Sequence, residues 1–98
     1  MADVLILEFD AVSTAQYDQV NETLGIDMAS GAGDWPAGLL SHTGAASESG
    51  GLAVVEVWES QQHQEEFMNT RLGPALGKSG IPEPRRAEWL TLAGHQHA

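Results

Sequence analysis

The stretch Asp3-Val4-Leu5-Ile6-Leu7-Glu8-Phe9 reads as a short strand with apolar side chains on both faces. Val4 and Ile6 point one way, and Leu5, Leu7 and Phe9 point the other, because successive strand residues alternate sides. Such a strand belongs in a sheet that is covered on both sides. Ser13-Thr14-Ala15-Gln16 has the spacing of a capping box, a hydroxyl three residues before a glutamine, and predicts a helix over 14–24. Tyr17, Val20 and Leu24 form its buried stripe, and Gly25 supplies the C-cap. Residues 26–38 contain three glycines, a proline and no period, so they read as a long loop that carries Trp35.

Two strands follow, 39–46 and 52–58, around the hairpin signal Ser47-Glu48-Ser49-Gly50-Gly51. The second is rich in β-branched residues (Leu52-Ala53-Val54-Val55-Glu56-Val57-Trp58). Ser60 caps a helix predicted over 61–72, with Phe67, Met68 and Leu72 as its apolar positions. Gly73-Pro74 interrupts it, a further turn reaches Leu76, and Gly77 to Pro84 form a linker. The last strand is predicted over about 86–94, and the tail after it as frayed.

The order β-α-β-β-α-β over residues 1–98 is a single α+β domain with the ferredoxin-like supersecondary pattern, in which both helices cover one sheet face. Ala53, Val55 and Val57, with Val4 and Ile6, leave the other face apolar as well. A monomer would expose roughly several hundred Å² there, more than a soluble monomer ordinarily carries. A homodimer is expected, with two such monomers closing into a dimeric α+β barrel.

Composition removes several function classes. Fourteen acidic residues against four Lys and Arg give a formal charge of −10, which excludes nucleic acid as a partner. The absence of cysteine removes disulfides, thiolate metal sites and thiol nucleophiles. The first residues lack a basic n-region and no apolar run approaches a membrane span, so a cytoplasmic protein without membrane contact is expected.

Trp58-Glu59-Ser60 at the end of an apolar strand, a Gln/Glu-rich helix with Phe67, then Arg71-Leu72-Gly73-Pro74-Ala75-Leu76 and Gly80-Ile81-Pro82, resemble the antibiotic biosynthesis monooxygenase-like superfamily. Trp35-Pro36-Ala37-Gly38-Leu39-Leu40-Ser41-His42 fits the same group. The resemblance spans nearly the whole chain and implies a dimeric α+β barrel with a pocket between the sheet and the two helices of each monomer. It is specific for the fold and weak for the activity, since that fold hosts oxygenases, isomerases, cyclases, heme degraders and others. It implies that Trp58 lines the pocket. Heme-degrading relatives place an iron-ligating histidine further along the second helix than His63; residues 67–72 contain none.

A three-residue hairpin loop at Glu48-Ser49-Gly50 places Ala46 opposite Leu52. His42 then faces Glu56, and Leu40 faces Trp58, all four on one side. A carboxylate about 5 Å across the strands from an imidazole can hold and polarise it. His42 as base and Glu56 as its orienter would then suit proton abstraction from a phenol or enol, and the resulting anion could react directly with dioxygen. The same pair also reads as a structural ion pair. Trp58 and Trp35 are candidate pocket walls, Trp58 equally a plain core residue and Trp35 reading first as a residue that packs its loop down. His63 and Tyr17 are further substrate-binding candidates, His63 also reading as solvated and Tyr17 as packed. Glu8 reads as an exposed strand end, and Arg85-Arg86 as partners of acidic neighbours. His95 and His97 lack a third ligand, so no metal and no cofactor are expected. The expected function is an enzyme acting on a small aromatic or polyketide-like molecule, by cofactor-independent oxidation or by proton transfer (isomerisation, cyclisation). The alternative is a non-catalytic ligand-binding or accessory barrel.

Overall fold

The computed structural model describes residues 2–48 and 50–96. Strand β1 (Asp3–Phe9) leads into helix α1 (Thr14–Leu24) and a two-residue ribbon, β2 (Ile26–Asp27) and β3 (Ala32–Gly33). Strands β4 (Leu39–Ala46) and β5 (Leu52–Trp58) form a hairpin. A helical run then passes through α2 (Gln61–Phe67), a π-helical turn (Met68–Leu72) and α3 (Gly73–Lys78) to the last strand, β6 (Arg86–Thr91). The four long strands form one antiparallel sheet in the order β4-β5-β1-β6. This is the α+β ferredoxin-like arrangement. The small β2–β3 ribbon lies within the stretch expected to be loop, and β6 ends three residues before the expected boundary.

Both ends of α1 match their sequence signals. The Ser13 hydroxyl accepts from the Gln16 amide while the Gln16 side chain reaches back to the Ser13 N–H, and Gly25 closes the helix at φ 76°. On β1, Leu5, Leu7 and Phe9 are buried against the helices with Val12, Leu52, Val54, Trp58 and Phe67. Burying each large side chain of this set contributes about 1.5–3 kcal/mol.

Gly73-Pro74 does not break the second helix. Proline has no N–H to donate, and its ring crowds the carbonyl four residues back. The chain relieves this by widening: the Gly73 N–H bonds to the Met68 carbonyl five residues earlier, and the run continues to Lys78. One residue of that wide turn ties the molecule together. The Arg71 guanidinium donates to the carbonyls of Leu24 (2.9 Å) and Asp34 (2.6 Å) and lies over the Phe67 ring. It thereby fastens the end of α1 and the segment before Trp35 to the second helix.

The hairpin register agrees with expectation at Ala46–Leu52 and His42–Glu56. At the far end it does not: a bulge between Leu39 and Ser41 brings Leu39, not Leu40, opposite Trp58, and Leu40 is left exposed. On the outer face, Val4 lies beside Leu90 and Val57, and Ile6 beside Val55. Val55 and Leu90 are each 41% exposed while Val57 is buried, so the apolar patch is uncovered in part in the monomer. Its other end is charged. Glu8 holds both Arg85 and Arg86 at 2.9 Å, and Arg86 also pairs with Glu88. The Arg86 hydrogen bond lowers the Glu8 pKa from its ordinary value, with the charges of both arginines adding to the effect. No helix is long and apolar enough to cross a membrane among the described residues.

Candidate functional site

A cavity of about 100 Å³, partly open to solvent, lies between the inner face of the sheet and the helices. Its walls are apolar apart from four side chains, Tyr17, Asn21, His42 and Glu56, and the ring nitrogen of Trp35. Trp35 spends that nitrogen on the Gly31 carbonyl (3.0 Å) and leans its ring against His42, with centroids 6.0 Å apart.

Three of the polar side chains form a continuous chain. His42 Nδ1 lies 2.6 Å from Glu56 Oε2, and the Tyr17 hydroxyl lies 2.6 Å from His42 Nε2. An ionised carboxylate only accepts, so Nδ1 carries the proton, Nε2 presents its lone pair, and the Tyr17 hydroxyl donates to it. The other carboxylate oxygen, Glu56 Oε1, accepts from the Trp58 indole N–H at 3.1 Å. His42 and Glu56 keep only 12% and 7% of their side-chain surface exposed, so the pair is nearly dry.

The elements explain this convergence. His42 and Glu56 are register partners on β4 and β5, both inward. Tyr17 reaches them from α1 because Gly44, two residues along β4 from His42, leaves room: a Cβ there would sit 2.5 Å from the phenol ring. The Tyr17 and His42 rings stack, 5.9 Å apart and 11° from parallel.

Two expected site residues stand elsewhere. Trp58 does not line the cavity. It is fully buried behind Glu56 and beside Phe67, where its size fills the core and its N–H orients the carboxylate. His63 is also apart from the cavity: it sits in the first turn of α2, hydrogen-bonded to the capping Ser60 (2.7 Å) and packed against Gly38. Trp35, Tyr17, His42 and Glu56 are brought together. Asn21, also on the cavity wall, escaped the sequence reading, although Tyr17, Val20, Asn21 and Leu24 share the i, i+3, i+4, i+7 spacing of one helix face. No cluster of three or more His, Cys, Asp or Glu suited to a metal occurs among the described residues; His97 lies outside them.

Burial raises the Tyr17 pKa above its ordinary 10.0, and the Glu56 and Asp18 charges add to the rise, while the neighbouring Asn21 amide opposes it. With the folded-state pKa raised, the unfolded chain releases this proton first. The stability tied to it is therefore full below pH 10.0 and is lost as pH climbs through the folded-state value. Tyr17 is the single tyrosine, so near-ultraviolet phenolate absorbance titrates it alone. The native midpoint is expected above 10.0. Gly44→Ala, which pushes the ring out of its slot, should move that midpoint down towards the ordinary value.

Solved structures share this fold over nearly the whole chain. A monooxygenase from the gene ActVA-Orf6 of Streptomyces coelicolor, in complex with nanaomycin D, is 23% identical with a TM-score of 0.63, covering 99% of this chain and 92% of its own. A protein provisionally assigned as an antibiotic biosynthesis monooxygenase from Chloroflexus aurantiacus is 14% identical at TM-score 0.68, covering 99% and 98%. Rv0793 from Mycobacterium tuberculosis is 16% identical at TM-score 0.61, covering 100% and 99%. The chain therefore has the fold of the antibiotic biosynthesis monooxygenase-like proteins, as the sequence resemblance implied. No family model and no curated protein matches the sequence.

Proposed function

We propose that this chain is a small-molecule enzyme of the monooxygenase-like type whose chemistry begins with removal of a proton from an aromatic hydroxyl. The observation that carries this reading is the unbroken Glu56–His42–Tyr17 chain opening onto an apolar cavity. The substrate hydroxyl meets the Tyr17–His42 end. Its proton passes to His42 Nε2, directly or through the Tyr17 hydroxyl, and Glu56 holds the imidazolium that forms. A proton moving within this network adds no net charge to the cavity, whereas simple loss of the Tyr17 proton does; the raised Tyr17 pKa is compatible with the first and opposed only to the second.

The resulting phenolate is electron-rich enough to reduce dioxygen. Oxidation of a phenol to a quinone balances with one oxygen atom entering the ring and the other leaving as water. Isomerisation or cyclisation would use the same first step. With a chain charge of −10, a neutral phenol enters more readily than an anion and ionises inside. A polyketide in the Streptomyces neighbour fits the same class of substrate. An engineered apolar cavity that holds benzene measures about 150 Å³, so a ring entering this one needs its wall to yield. Trp35, on the least regular segment, is the wall suited to do so.

The same reading makes the molecule a homodimer through the outer face, where an apolar centre (Val4, Ile6, Val55, Leu90) meets a charged end at Glu8, Arg86 and Glu88. Val55→Asp is expected to convert the dimer into a monomer in analytical ultracentrifugation. Site function is tested by mass spectrometry and crystallography of the protein with any co-purified ligand retained. An aromatic oxygen within about 3 Å of Tyr17 or His42 supports the base. A ligand seated with only apolar atoms at that end favours the non-catalytic binder.

A further inference from the structure

Trp35 hangs on a short strap whose two ends are fixed. At one end the Asp34 N–H donates to the Gly25 carbonyl (2.9 Å), and the Asp34 carbonyl accepts from Arg71 (2.6 Å). At the other the Gly38 carbonyl accepts from the Glu59 N–H (2.8 Å). The His63 ring also packs so closely on Gly38 that a Cβ there would lie 2.4 Å from it. Between these ends stand Trp35, Pro36 and Ala37. Pro36 is buried on the cavity wall; its ring fixes its own φ and keeps Trp35 extended. The strap backbone is therefore stiff, and the freedom left to it is rotation of the Trp35 side chain.

That side chain has one polar fastening, and it lies at the surface: the indole N–H donates to the Gly31 carbonyl at 3.0 Å. The acceptor is itself held in place. The Asp27 carboxylate accepts from the Ala29 N–H (3.0 Å) and the Ser30 hydroxyl (2.8 Å), and the Gly31 N–H donates to the Asp27 carbonyl (2.8 Å). The Trp35 ring is half-buried, lines the cavity and leans on His42. A neutral hydrogen bond that water can replace contributes little net. The ring can therefore leave Gly31 at small cost, whereas moving the sheet or the helices would open the packed core.

Resting on the proposed function above, we infer that Trp35 is a side-chain gate of the cavity, latched by its N–H on Gly31 and hung on a frame that Arg71 holds. Latched, the ring covers His42 and limits the access of water to the proton chain. Turned out, it admits a flat aromatic ring larger than the closed cavity of about 100 Å³ accommodates. Arg71 does not line the cavity. It is a positioning residue, which acts through Asp34 to align the indole N–H with its acceptor.

Stopped-flow absorbance with 4-nitrophenol reads how fast the cavity fills. Trp35→Phe keeps an aromatic flap and removes the latching N–H, so association should quicken roughly two- to tenfold, the worth of one neutral hydrogen bond. Arg71→Met should quicken it as well. In the Trp35→Phe background, however, Arg71→Met should add little, because no N–H is left to align. Fluorine NMR of protein labelled with 5-fluorotryptophan gives a readout that needs no Arg71 variant. The Trp35 signal, identified by its loss in Trp35→Phe, should report two exchanging states that 4-nitrophenol redistributes. Association no faster in Trp35→Phe, or a single Trp35 state, overturns the gate, while the phenolate spectrum of the bound probe would still support the proton chain. Additive effects of the two substitutions overturn the part given to Arg71. Binding of 4-nitrophenol by neither the wild type nor Trp35→Phe overturns the site reading and the gate together; binding by Trp35→Phe alone supports the gate.

Discussion

His42→Phe alone is expected to destabilise the fold by at least about 1–3 kcal/mol, because it leaves the buried Glu56 carboxylate without the His42 N–H that it accepts from. Glu56 is 5% exposed, and Trp58 then supplies its one remaining donor. The double variant His42→Phe/Glu56→Leu should recover most of that loss, since replacing both partners of a buried hydrogen bond by apolar groups of similar shape is often nearly neutral. Function should separate from stability: the double variant should fold yet turn over substrate roughly a hundred- to ten-thousandfold more slowly, the usual contribution of a positioned base. Urea unfolding of both variants beside a turnover assay checks this. Restoration of activity along with stability would show the pair to be structural. A surface-like cost within about 0.5 kcal/mol is not expected at His42, because the imidazole is nearly as buried as its partner.

Trp58→Ala should be at least as damaging, at about 3–5 kcal/mol from the cavity alone. The indole is wholly buried, stacks obliquely with Phe67 and fills the centre of the core cluster. Trp58→Phe separates its two roles. It keeps most of the volume but removes the N–H on Glu56 Oε1, at about 1–3 kcal/mol for the unsatisfied acceptor. If orientation of Glu56 matters to the chemistry, Trp58→Phe lowers kcat more than it changes KM; a residue that only packs would leave the rate of the folded fraction unchanged.

The centre of the site was legible because a three-residue hairpin loop fixes register, and register alone places His42 against Glu56. The same arithmetic failed at Leu40, where nothing in Leu39-Leu40-Ser41 announces the extra residue of a bulge. The bulge lies in β4 and changes only the neighbour of Trp58, from Leu40 to Leu39. Tyr17 was visible as an apolar-stripe residue, but its hydroxyl partner lies 25 positions away on another element, a distance that no local pattern spans. Gly44 held the missing signal, since an isolated glycine inside a strand marks a close approach. At Pro74 the sequence rule was right about the lost hydrogen bond. The helix absorbed the loss through one wide turn and continued.

The central claim is that the Glu56–His42–Tyr17 chain takes a proton from a bound phenol. The absorption spectrum of bound 4-nitrophenol tests it most directly, recorded at a pH below that at which the free compound ionises. The wild type is predicted to show the phenolate spectrum and His42→Phe/Glu56→Leu the neutral phenol spectrum. A neutral spectrum in the wild type, or a phenolate spectrum in both proteins, would contradict the claim.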